Sequence, residues 1–125
     1  MKTYVGYRIH AQCIGGEVGT EECVVHVLED GKPKRKLPLY LDIQNKSPTG
    51  FEWGYGGSGP AQLALALCAD CFGRQYALSP IYQRLKWRIV CHLPHDIWRL
   101  TEEHLREHLA NIQTELQAVD RWEVE

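Results

Sequence analysis

At 125 residues the chain is the size of one ordinary domain, and its 24% charged and 44% hydrophobic residues place it among folded rather than disordered proteins. A net charge of −2, from 14 Lys and Arg against 16 Asp and Glu, excludes a general electrostatic nucleic-acid binder. The longest apolar stretch, 61–69, is interrupted by Gln62 and is too short to span a bilayer.

The start of the chain carries no signal-peptide pattern, because Tyr4, Tyr7, Arg8 and His10 interrupt any apolar run, so a cytoplasmic protein without membrane association is expected. Five cysteines are an odd number and suit reduced thiols better than a disulfide framework. Residues 4–10 read as a strand with Val5, Tyr7 and Ile9 on one face. Gly15, Gly16 and Gly19 make 13–20 a loop, and valine-rich 22–28 is a second strand closed by Asp30-Gly31. The cluster Lys32, Lys34, Arg35 and Lys36 reads as a solvated hairpin tip. Beyond it, Leu37, Leu39, Leu41 and Ile43 alternate with polar or ring residues, which predicts a half-buried strand with Pro38 near its start or at a sheet edge.

Residues 45–60 are loop by composition, and Pro60 suits the first turn of a helix over 60–72 that Ser58 or Gly59 caps and Gly73 stops. That helix is apolar nearly all round, with only Gln62 and Asp70 polar, which places it centrally in the core. Ser79-Pro80 opens a helix towards Cys91, although alternation over 85–92 also permits a strand. A final amphipathic helix spans 101–120: Thr101 caps it, Glu102 and Glu103 suit its first turn, Leu100 can staple onto Leu105, and Leu105, Leu109, Ile112, Leu116 and Val119 form one seam. The expected architecture is a single α+β domain over 1–125, with a small N-terminal antiparallel sheet of about three strands packed with three helices.

The run SPTGFEWGYGGSGPAQLALAL, from Ser47 to Leu67, resembles the signature of a small, functionally uncharacterised family of bacterial, plasmid and phage proteins. Leu85-Lys86-Trp87, the Trp98 to Glu103 run WRLTEE, Tyr4-Val5-Gly6-Tyr7-Arg8 and Leu37-Pro38-Leu39 fit the same resemblance, which covers most of the chain. It implies no transferable activity. Its setting in mobile elements implies an accessory role such as interference with host defence. Cys68 and Cys71 depart from it, standing where its members look aliphatic.

Gly54-Tyr55-Gly56-Gly57-Ser58-Gly59 matches G-x-G-x-x-G and leads into a helix, so its backbone N–H groups suit an anion. A dinucleotide fingerprint also needs a strand before it and an acidic residue closing a second strand, and neither is read here; no Lys follows, which excludes a P-loop. The bland alternative is a tight loop whose glycines let Trp53 and Tyr55 pack on the helix. Cys68-x-x-Cys71 with Cys91, His92 and His95 has tolerable zinc spacing, but a pair within an apolar helix reads better as buried thiols. His104 and His108 fit H-x-x-E-H, yet a third ligand should come from a later helix and the sequence stops at Glu125. No cofactor and no catalytic residue is expected. The first expectation is a non-enzymatic binding protein, monomer or homodimer, that holds an anionic small molecule or nucleotide on Trp53, Gly54, Tyr55, Gly56, Gly57, Ser58 and Gly59, with Arg8 or Arg74 adding charge. The alternative is a protein–protein inhibitor or interaction module acting on a host protein, with the loop purely structural. A small metal-dependent hydrolase using His92, His95, His104 or His108 is a third class.

Overall fold

The computed structural model describes residues 1–10, 21–78 and 80–124; the expected loop over 13–20 and the Ser79 cap lie outside them. Strands β1 (Lys2–His10) and β2 (Glu21–Glu29) pair antiparallel, with Tyr4 opposite Val27 and Tyr7 opposite Val24. A two-residue strand β3 (Arg35–Lys36) flanks β2, and β4 (Ile97–Thr101) flanks β1, giving one antiparallel sheet in the order β3-β2-β1-β4. The period of two sorts its faces. Tyr4 and Gly6 of β1, Val25 and Val27 of β2, and Trp98 and Leu100 of β4 share the buried face, while Val5, Tyr7 and Ile9 lie on the other. Gly6 is required at its position: a Cβ there would stand 2.2 Å from the buried Trp98 ring.

Helix α1 (Ser58–Cys71) is the centre of the core, and every residue from Gly59 to Ala69 is buried. One apolar cluster joins its Leu63, Leu65 and Leu67 to the sheet, to Ile81 and Leu85 of α3 (Ile81–Arg88) and to Leu105, Leu109 and Ile112 of α4 (Glu102–Val124). A single-turn α2 (Arg74–Ala77) connects α1 to α3. The helix expected towards Cys91 ends at Arg88 and passes into a 3-10 turn over Val90–His92; the alternative strand over 85–92 does not form. Leu85 and Ile89, one helical turn apart, are both buried, whereas Trp87 between them is exposed. In α4, Thr101 Oγ1 accepts the His104 N–H at 3.1 Å, the expected cap. The seam is buried through Ile112, and Val119 beyond it is exposed.

The strand expected over 37–43 is absent, because that segment is claimed by α1. Gln62 is fully buried and makes four hydrogen bonds to backbone: its Oε1 accepts from Lys46 N (2.7 Å) and Ser47 N (3.0 Å), and its Nε2 donates to Leu39 O (2.6 Å) and Gln44 O (3.1 Å). Tyr40, at φ 56°, turns the chain out of an extended path so that these carbonyls converge on the amide. Leu37 is buried beside β2, its N–H donating to Val25 O at 2.9 Å, but the ladder goes no further. Gln62→Leu keeps the volume and strips all four partners, leaving buried polar groups unpaired; it should destabilise the fold by about 3 kcal/mol or more in denaturant unfolding. A loss below about 1 kcal/mol would show that the segment holds its path without the amide.

Candidate functional site

The glycine-rich loop has an inward and an outward side. Trp53 points inward and is buried. Its indole N–H donates to His95 O at 2.9 Å, its ring meets Trp98 edge-on at 5.4 Å, and the Arg8 guanidinium stands 5.0 Å over it. Gly54 follows at φ 86°, in the left-handed region, and its N–H donates to Val90 O at 3.0 Å. The chain then surfaces. A Cβ on Gly56 would lie 2.5 Å from the Trp87 ring, and one on Gly57 would lie 2.7 Å from the Tyr55 ring. Both rings are about half exposed, 57% for Trp87 and 51% for Tyr55. The missing side chains therefore form a seat for two outward-facing aromatics; of the two rings expected to pack inward on the helix, Trp53 is buried whereas Tyr55 is half exposed, and Trp87 was not among them.

Gly57 is extended and stands just before α1, which starts with no side-chain cap and no acidic residue in its first turn. Pro60 carries no N–H, so Ser58 and Gly59 supply the first-turn donors. These two residues, with Tyr55, line a cleft of about 680 Å³ whose opposite wall is β2 from Glu21 to Val25. Lys36, Ser47 and Thr49 lie along its rim. No strand precedes the G-x-G-x-x-G match, since Phe51 to Trp53 are neither helix nor strand, and this local context is not that of a dinucleotide fold.

An ion pair between the buried Arg8 side chain and the partly exposed Glu52 ties the cleft to the sheet. The Arg8 side chain is bidentate to Glu52, at 3.0 Å and 2.8 Å, donates to His95 O at 2.7 Å and reaches Cys23 Sγ at 3.0 Å. The Arg8 hydrogen bonds hold the Glu52 carboxyl below the usual range against the opposing effect of burial. Burial, reinforced by Glu52, pushes the Cys23 thiol up to about 11, so it is a protonated wall of the cleft and not a thiolate nucleophile. Arg8 is thus committed to the scaffold. Arg74, the other expected charge, pairs with Asp42 and stands over the Tyr40 ring, away from the cleft lining.

The remaining candidates are dispersed. Cys68 and Cys71 are buried in α1, where burial raises both thiols, Cys71 to about 11. His92 and His95 are exposed, and among the described residues no three His, Cys, Asp or Glu side chains gather as a metal set. A cluster not foreseen in the sequence stands at the other end of α1. The Asp70 carboxylate, its side chain 3% exposed, accepts from Tyr4 Oη (2.8 Å), Tyr40 Oη (3.0 Å), Arg35 (3.0 Å) and Lys2 Nζ (3.3 Å). Burial alone would raise its pKa, but the Tyr4 and Arg35 hydrogen bonds, the Lys2 charge and Tyr40 outweigh it and hold it below the ordinary carboxylate value. Burial and the Asp70 charge push the Tyr40 phenol up to about 12. Asp70 being the lone acid of an apolar helix was the available signal.

Two outcomes follow from these contacts. Gly59→Ala would place a Cβ 2.6 Å from Glu52 Cβ, which Arg8 holds in place, and should cost about 1–3 kcal/mol; Gly57→Ala needs only the exposed Tyr55 ring to swing and should cost less than about 1 kcal/mol, as chemical denaturation can compare. Asp70→Asn should cost on the order of 3 kcal/mol at pH 7. Because the folded pKa of Asp70 is depressed, its contribution is complete above the unfolded value near 4 and is lost as pH falls through the folded value. The gap between wild type and Asp70→Asn should therefore close in acid, and a gap that stays constant from pH 7 to pH 3 would refute the ionic role.

Among the described residues, no helix is long and apolar enough to cross a membrane. Neither the curated proteins nor the solved structures contain a match to the chain. A family model, described as a family of unknown function (DUF6166), matches residues 4–111, a span from β1 to the middle of α4 that includes the glycine-rich loop and, apart from Lys2, the Asp70 cluster. The chain belongs to that family.

Proposed function

We propose that the protein is a non-enzymatic binding protein whose ligand is a small molecule with an anionic group, a nucleotide being one such molecule. The anion seats at the start of α1 and the remainder lies along the cleft against Tyr55. The observation that carries this reading is the uncapped entry to α1: Ser58 and Gly59 line the cleft, the first turn itself holds no acidic residue, and the adjacent Glu52 carboxylate is paired with Arg8. Tyr55 offers a ring face, and Lys36 adds a cation at the rim. Glu52 is neutralised by Arg8, which also pairs with Glu21 at 3.8 Å, and Glu22 on the β2 wall disfavours negative charge there, which favours the α1 end for the anion. The Glu52 carboxylate is committed to Arg8 and the Cys23 thiol is protonated, which supports a binding role over a nucleophilic one for these two groups. Capture of a host signalling nucleotide by a mobile-element accessory protein is the concrete version this reading takes.

A second reading, a protein-interaction module, is favoured by two half-exposed rings, Trp87 against Gly56 and Tyr55 against Gly57, since such aromatics are enriched at binding surfaces.

Thermal unfolding with inorganic phosphate and with nucleoside mono-, di- and triphosphates separates the two. A ligand of the native state alone should raise the melting temperature in proportion to its saturation. Ser58→Glu places a carboxylate in the first turn, where it complements the helix dipole, so this variant should keep its own stability and lose the shift. No shift with any of these anions would refute the first reading. A partner protein bound by wild type and released by both Tyr55→Ala and Trp87→Ala would then establish the second.

A further inference from the structure

The first two turns of α4 carry His104 and His108, one helical turn apart on the same face, with Nε2 atoms 3.0 Å from each other and ring centroids 4.9 Å apart. His104 is exposed and His108 half-buried, so the pair faces solvent and not the core. Neither ring serves the cleft or the core seam, which runs through Leu105 and Leu109. We infer that His104 and His108 form a two-point chelate for a divalent transition-metal ion.

With metal–nitrogen bonds of about 2.0–2.1 Å, two nitrogens 3.0 Å apart subtend an angle of about 95° at the metal. An angle in this range is that of a cis pair of ligands on a divalent ion, and ring rotation sets its final value. The rings are near parallel, at 17°, so each must turn about its Cβ–Cγ bond until the lone pairs converge; the exposed position leaves room for this. Because no third protein ligand gathers here among the described residues, water fills the other positions.

Proton placement identifies the residue that opposes binding. Without metal, one Nε2 must donate to the other. Arg88 Nε–H points at His108 Nδ1 at 3.4 Å, which makes His108 the donor through Nε2. A metal on Nε2 requires the proton to move to Nδ1, where it would face the Arg88 donor. Arg88, held by Glu115, must then rotate away, and its positive charge also repels the ion. Arg88 is therefore a built-in competitor of the metal.

Titration of the purified chain with Cu2+, followed by electron paramagnetic resonance and by tryptophan fluorescence, tests this. Wild type should show a signal with two equivalent nitrogen ligands. His104→Ala and His108→Ala should each lower the affinity by about tenfold or more, without altering the circular dichroism, since both side chains reach solvent. Arg88→Ala should bind more tightly than wild type. Equal Cu2+ affinity in wild type and in the His104→Ala/His108→Ala double variant would overturn the site. The same holds for a single-nitrogen signal in wild type, and no tightening in Arg88→Ala would overturn the role given to Arg88.

Discussion

A helix buried along its whole length can carry almost no polar side chain, and each one it carries must be fully partnered. In α1 those side chains are Gln62 near the start and Asp70 near the end. Gln62 binds the backbone of residues 39–47, and Asp70 binds Tyr40 from the same stretch, Arg35 from β3 and Lys2 and Tyr4 from β1. The segment from β3 to the glycine-rich loop is therefore pinned to the central helix at two places eight residues apart, by side chains rather than by a sheet ladder. The rest depends on this. Held so, the segment reaches residue 47 at the rim of the cleft, where the loop turns back towards α1.

This constraint also explains which features were legible in the sequence. β1, β2, the buried nature of α1 and the capped start of α4 each follow from a local pattern that the tertiary structure reinforces: alternation, an unbroken apolar run, or Thr-Glu-Glu before a seam. Leu37 to Ile43 alternate just as clearly, yet form no strand, because a four-bond partner on α1 and the left-handed Tyr40 outcompete a second ladder along β2. β4 was hidden for the opposite reason. Trp98 and Leu100 occupy only two inward positions, and the strand runs without a turn into α4. Its register comes from Gly6, which leaves space for the Trp98 ring and cannot be read as such from β1 alone.

The candidate site was legible by position and not by mechanism. The glycines announce a special path, but their use differs from one to the next. Gly54 supplies a positive φ, Gly59 admits Glu52, and Gly56 and Gly57 seat the rings of Trp87 and Tyr55. Tyr55 is two residues from its glycine, while Trp87 comes from α3, and only the folded chain brings it there. Cys68 and Cys71 show the reverse case: spacing that suggests metal, in a helix whose burial makes them small apolar side chains with raised thiols.

Arg8 decides the electrostatic character of the cleft. Three glutamates line or border it, and an unpaired Glu52 beside the start of α1 would itself be the anion that the helix dipole attracts. By holding both carboxylate oxygens of Glu52, Arg8 directs that charge into the sheet and away from Ser58 and Gly59. The same guanidinium covers the Trp53 ring and bonds His95 O, which also accepts the Trp53 indole N–H. One buried side chain thus fixes the inward half of the loop and leaves the outward half free of a resident carboxylate. Because both effects pass through one residue, the rigidity of the inner loop and the anion seat proposed at the outer loop cannot vary independently.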